Sequence, residues 1–142
     1  MYVQSRYPCV KPLPEAERPG RSTACRVLVV EDEFLVSLLL EEELRSLGCT
    51  IVGPFKRLAE ATAASRREVF DLAILDINLD GEMVYPLADD LAACNVPFVF
   101  VSGYDSPSLP ERFSGRPCVA KPYETFTLAS EVTRLLAARD EE

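Results

Sequence analysis

Histidine and tryptophan are both absent from the 142 residues. Without an imidazole the chain cannot run a histidine-based triad, shuttle protons through histidine or bind a metal through that ring. Long apolar runs are lacking as well. Nothing approaches the roughly 20 residues of a membrane span, and the opening stretch MYVQSRYPCVKPLPEAERPG has no apolar core of a signal peptide. Basic charge is scarce, with 15 Lys and Arg against 23 Asp and Glu for a net of −8. Polyanion binding needs a basic face, so neither nucleic acid nor a membrane is an expected partner. The cysteines Cys9, Cys25, Cys49, Cys94 and Cys118 contain no C-x-x-C pair. We therefore expect small apolar side chains rather than a zinc site or a disulfide framework. A cytoplasmic protein with one folded domain is what these absences leave.

What is present is an ordinary globular balance, 48% apolar and 27% charged. Residues 1–24 stand apart, with Pro8, Pro12, Pro14 and Pro19 among scattered charges and no apolar period. Prolines at that density block helix continuation, so this stretch reads as a flexible N-terminal arm before a domain spanning 25–142. Beyond it, short apolar runs alternate with helical periods. Arg26–Val30 (RVLVV), Cys49–Val52, Asp71–Leu75 (DLAIL), Pro97–Val101 (PFVFV) and Arg116–Ala120 read as strands. The second stops at Gly53-Pro54. Between them the spacing predicts helices over Phe34–Leu47, Leu58–Val69 and Tyr85–Cys94, and a last one over Glu124–Ala138. In the first, Leu35, Leu38, Leu39, Leu44 and Leu47 fall near a 3.6 period, with Gly48 as C-cap. Strand starts recur at about one βα unit each, which implies a doubly wound five-stranded parallel sheet, an α/β fold.

In such sheets the site forms at the carboxyl ends of the strands. The polar residues there are Glu31 and Asp32 after the first strand, Asp76 after the third, Ser102 after the fourth and Lys121 after the fifth. Each alone has a bland explanation: a strand-ending Asp often caps the next helix, and a single Lys is usually a solvated charge. Together, in the order acid pair, acid, hydroxyl, lysine, they define one edge.

The stretches VLVVEDE, DLAILDINL, PFVFVSGYD and CVAKPY resemble the receiver domain of two-component response regulators, over about residues 26–138. The resemblance implies a flavodoxin-like strand order 2-1-3-4-5, with Glu31 and Asp32 as the acidic pair and Asp76 as phosphoacceptor. It implies further that the Asn78 main-chain carbonyl helps ligate Mg2+, that Ser102 is the switch hydroxyl and Lys121 the phosphate-binding lysine, and that Pro122 follows a cis peptide bond. Pro97–Tyr104 is similar to the "FAT GUY" subgroup of receivers, with Val101 for its Ala and Ser102 for its Thr. Asp76–Glu82 (DINLDGE) fits that subgroup too, since it lacks the proline of the usual loop.

The residues argue the same way without the resemblance. Three carboxylates at one edge repel one another, and a hard divalent cation with oxygen ligands removes the conflict. Such an ion also neutralises charge on a transferring phosphoryl group. The resemblance implies in addition that the chain, which has no histidine of its own, takes phosphate from a sensor histidine kinase or phosphotransfer protein. It departs from most receivers at Cys118, where the family has a switch aromatic. Tyr104 is the available replacement. Gly103, Pro107, Pro110, Gly115 and Pro117 predict a short or irregular fourth helix.

The expected role is a stand-alone switch, a monomer or weak homodimer, that signals through a protein surface or drains phosphate from a shared kinase. It would be a phosphoacceptor supporting its own Mg2+-dependent phosphorylation and dephosphorylation, not an enzyme acting on an outside substrate. The alternatives are an aspartate-nucleophile phosphatase of haloacid dehalogenase type, which wants an Asp where Asn78 stands, and a receiver-like scaffold that is never phosphorylated.

Overall fold

The computed structural model describes residues 25–103, 108–121 and 125–140. The N-terminal arm, Tyr104 and Pro122 lie outside them. Five strands, β1 (Cys25–Val30), β2 (Cys49–Phe55), β3 (Leu72–Asp76), β6 (Phe98–Ser102) and β7 (Cys118–Ala120), pair in parallel in the order β2-β1-β3-β6-β7. A small antiparallel hairpin, β4 (Asn78–Leu79) with β5 (Glu82–Met83), interrupts the chain after β3. Counting only the parallel sheet, this is the expected 2-1-3-4-5. Four α-helices are described: α1 (Phe34–Ser46), α2 (Leu58–Arg67), α3 (Tyr85–Ala93) and α4 (Thr125–Asp140).

Side chains alternate across a strand, and here the alternation divides the core cleanly. Leu28, Val30, Ala73, Leu75, Phe98 and Phe100 join one cluster with Ala61 of α2 and Leu87, Ala88 and Leu91 of α3. Val27, Val29, Leu72, Ile74, Val99 and Val101 join the other, with Leu40 and Leu44 of α1 and Val132 of α4. Both faces of the sheet are covered, which is why its strands read as unbroken apolar runs. The first face also holds the aromatics: Phe98, Phe100 and Phe113 meet edge to face, with centroids 5.2 and 5.3 Å apart along the chain of contacts.

Three local expectations are corrected. In α1 the buried residues are Ser37, Leu40 and Leu44, whereas Phe34, Leu35, Leu38 and Leu39 are exposed at 44–71%. The helix carries more apolar residues than its core-facing stripe holds: of the expected stripe Leu44 is buried and Leu47 packs on the core, but Leu35, Leu38 and Leu39 face outward and Leu40 takes the inner place. Strand β2 does not stop at Gly53-Pro54 but continues to Phe55. The pairing shifts from Leu28↔Val52 to Val30↔Phe55, so β2 carries one extra residue there, a bulge. Gly53 is required at this point: its φ is +111°, and a Cβ would lie 2.8 Å from the Val29 carbonyl oxygen. Lastly, Cys94 is disulfide-bonded, where a small apolar thiol was expected, while Cys118 is free.

Between β6 and β7 the described residues form only a 3-10 turn, Glu111–Phe113, as the glycines and prolines predicted. Arg112 fastens this turn to α3 through two hydrogen bonds to Asp89, at 2.8 and 3.0 Å. No helix among the described residues is long and apolar enough to cross a membrane.

Candidate functional site

Backbone ladders place the site. Glu31 follows the last residue of β1, and its N–H donates to the carbonyl of Phe55 at 2.9 Å, so the extension of β2 past its bulge braces the acidic loop. Asp76 is the last residue of β3, Ser102 the last of β6, and Lys121 follows β7 directly. Ile77 N–H donates to Val101 at 3.0 Å and Lys121 N–H to Ser102 at 2.8 Å. The Asp76, Ser102 and Lys121 positions are thus set by the ends of three adjacent strands.

Glu31 and Asp76 are buried and Asp32 half-buried. The three carboxylates each offer an oxygen within 4.8 Å of the others. Lys121 enters this cluster from β7, and its Nζ donates to Glu31 Oε2 at 2.9 Å, to Glu33 Oε1 at 2.8 Å and to Asp76 Oδ2 at 3.0 Å. Burial pushes the Asp76 carboxyl up to about 8; the charge of Glu31 and a hydrogen bond with Asp32 add to this, and Lys121 opposes it. Burial alone would lower Lys121. The hydrogen bonds to Glu33 and Glu31, the charge of Glu31 and the bond to Asp76 outweigh it, so its ammonium is held above the ordinary lysine value.

Asn78 lies at the rim. Its N–H donates to Asp76 Oδ1 at 3.3 Å, and its side-chain Oδ1 accepts from Gly81 N–H at 2.6 Å. This bond closes the β4–β5 turn, in which Asp80 and Gly81 have φ of 55° and 94°. With its side-chain oxygen engaged in the turn, the main-chain carbonyl is what Asn78 can offer a metal. An open groove of about 910 Å³ runs beside Asp32, walled by Lys56, Arg57, Glu60 and the hairpin.

Of the residues singled out in the sequence, the structure gathers Glu31, Asp32, Asp76 and Lys121 into one cluster, with Asn78 at its rim and Ser102 at the end of the neighbouring strand. It missed Glu33, which reads as a solvated charge. The available signal was its place directly after the acid pair, on the same loop.

A family model for the response regulator receiver domain matches residues 27–132. The solution structure of SdrG from Sphingomonas melonis Fr1 is 39% identical, with a TM-score of 0.73, covering 80% of this chain and 98% of that one. The BeF3-activated conformation of SdrG from Pseudomonas melonis Fr1 is also 39% identical, with a TM-score of 0.67, covering 78% and 95%. The response regulator REC domain of Erythrobacter litoralis PhyR is 33% identical, with a TM-score of 0.66, covering 80% and 90%. No curated protein matches the sequence. Fold, strand-end chemistry and the extent of the match agree: the chain belongs to the response regulator receiver domain family.

Proposed function

We propose that this receiver domain is a phosphoacceptor switch in which Asp76 takes a phosphoryl group from the phosphohistidine of a sensor histidine kinase or phosphotransfer protein. Receiver domains as a family interact with such partners. In the transfer the P–N bond of the donor breaks, a P–O bond to a carboxylate oxygen of Asp76 forms, and the imidazole nitrogen leaves with the electron pair. The observation that carries this reading is the Lys121 ammonium 3.0 Å from Asp76 Oδ2, inside a cluster of oxygen ligands.

Receiver domains generally bind Mg2+ at an acidic pocket, and the donor set here fits. It is all oxygen, largely carboxylate and partly closed off from water, which suits a hard divalent cation. Asp32, Asp76 and the Asn78 carbonyl would hold the ion, with Glu31 acting mainly through water. When bound, it supplies positive charge against the phosphoryl oxygens. Lys121 is a point charge for one of those oxygens. Ser102 offers the hydroxyl that links the phosphate to the segment after β6, and Tyr104, two residues on, is the aromatic proposed to change its packing.

The phosphatase alternative is disfavoured by Asn78: an amide whose oxygen is tied to Gly81 N–H cannot serve as acid or base. We assign the chain to the FAT GUY subgroup on the sequence of residues 97–104 and the 3-10 turn that the described residues form between β6 and β7. Its output passes to another protein through β6, β7, the segment between them and α4, or takes the form of draining a shared kinase. Intact mass after incubation with acetyl phosphate and Mg2+ tests the acceptor. A gain of one phosphate on wild type and none on Asp76→Asn is expected; equal gain on both would remove the assignment.

A further inference from the structure

A lysine ammonium has three N–H donors and no acceptor. In Lys121 all three are engaged, on Glu31, Glu33 and Asp76. A phosphoryl oxygen arriving at Asp76 therefore finds no idle donor on this lysine, and one of the three acceptors must let go. They differ in what release leaves behind. The Glu31 side chain is 1% exposed, so losing the ammonium would strip a buried carboxylate of a charged partner, while Asp76, 3% exposed, keeps one carboxyl oxygen as an acceptor for Lys121 after the other has bonded to phosphorus. The Glu33 side chain is 59% exposed, and water can take over its lone pairs at small cost. Its backbone need not follow, because the Glu33 N–H donates separately to Glu31 Oε2 at 3.2 Å. Only the carboxylate has to swing away.

We infer that Glu33 is a positioning residue for Lys121: its carboxylate occupies one ammonium N–H in the unphosphorylated protein and is the ligand that a phosphoryl oxygen displaces. Glu33 thus competes with the phosphoryl group for Lys121 and sets how readily the site closes around it. Glu31 and Asp32, on the same loop, stay in place while this exchange occurs. The inference rests on the phosphoacceptor reading of Asp76.

Beryllofluoride at saturating Mg2+ serves as the probe, with its affinity measured by calorimetry on wild type, Glu33→Gln and Glu33→Asp. Removing an exposed rival of this kind should tighten binding about two- to fivefold in Glu33→Gln. Glu33→Asp keeps the charge but shortens the arm by one methylene, beyond reach of the ammonium, so it should match Glu33→Gln. The gap from wild type should narrow at about 1 M salt, where screening reaches within roughly 3 Å. Unchanged or weaker binding in Glu33→Gln overturns the inference. So does Glu33→Asp behaving as wild type, which would mean through-space repulsion and not competition for Lys121. Wild type that binds no beryllofluoride would remove the phosphoacceptor reading together with the inference, whereas binding by wild type with no change in Glu33→Gln removes the inference alone.

Discussion

Ile74 and Asp76 stand two residues apart on β3, nearly equally closed off from solvent at 1% and 3% exposure, in opposite surroundings. Ile74 packs among valines and leucines, and each of its contacts supports the fold. Asp76 shares its surroundings with Glu31 and Asp32 and holds its proton up to about pH 8. The sheet interior is locally consistent at every position, while its carboxyl-end edge gathers charges that the isolated fold would be more stable without. Chemistry sits where the sequence breaks its own packing rules, and the interior must be stable enough to tolerate that.

The contrast can be broken from the interior side first. Phe100→Ala removes a ring that touches Phe98, Phe113 and Tyr85 and should cost about 3–5 kcal/mol of unfolding free energy, read from denaturant melts. Val99→Ala, one residue away and facing the aliphatic side, should cost clearly less because fewer buried atoms are lost. Equal costs would mean that the two faces are loaded alike.

At the edge, added cation should act as a ligand of the native state alone. With Mg2+ at about 100 times its dissociation constant, wild type should gain about 2.7 kcal/mol. Asp32→Ala should gain far less at the same concentration, read as a melting-temperature shift. An identical response in both proteins would place the ion elsewhere.

Without metal, the edge has a defined pH signature. The folded Asp76 carboxyl titrates near 8 against an ordinary 3.8. Over that window the folded protein holds a proton that the unfolded chain has released. This group's contribution to stability is therefore fully present below the ordinary value and is lost as pH rises through about 8. Asp76→Asn escapes the loss. In EDTA its advantage over wild type should be smallest near pH 5 and widen steadily up to about pH 8. A gap that narrows with rising pH would contradict the burial of charge at Asp76.

The smallest effect belongs to a third environment, the outer face of α1. Leu38→Ser or Leu39→Ser should change stability by no more than about 0.5 kcal/mol, since both side chains are exposed. Leu40→Ser, the next residue and a core member, should be severely destabilising. Thermal melts of the three variants test the helix phase directly.

That phase was the least legible feature in the sequence. With leucine at 35, 38, 39, 40, 44 and 47, more than one stripe satisfies a 3.6 period, and only docking on the sheet decides between them. The ends of the strands were far more legible. Each apolar run stops where a charged or hydroxyl residue begins, and that boundary is what places Glu31, Asp76, Ser102 and Lys121. Two-residue strands such as β4 and β5 carry too little pattern to be seen. Gly53-Pro54 was read as a stop because turn residues usually are one, although here the bulge lets β2 resume. Glu33 was harder to see for another reason: taken alone it reads as a solvated charge, and only its place directly after Glu31 and Asp32 marked it.

The ends of three parallel strands hold Asp76, Ser102 and Lys121, with Lys121 N–H bound to the carbonyl of Ser102. The consequence is one of time. Ladder bonds open by local or global unfolding, most rarely in the central strands β3 and β6 and more readily at the edge strand β7, whereas a side chain near the surface changes rotamer in picoseconds to nanoseconds. On every timescale shorter than strand opening, the distances between these three backbone positions are constants. The rapid rearrangements available to the site are rotations about χ angles, chiefly those of Glu33 and the lysine it meets.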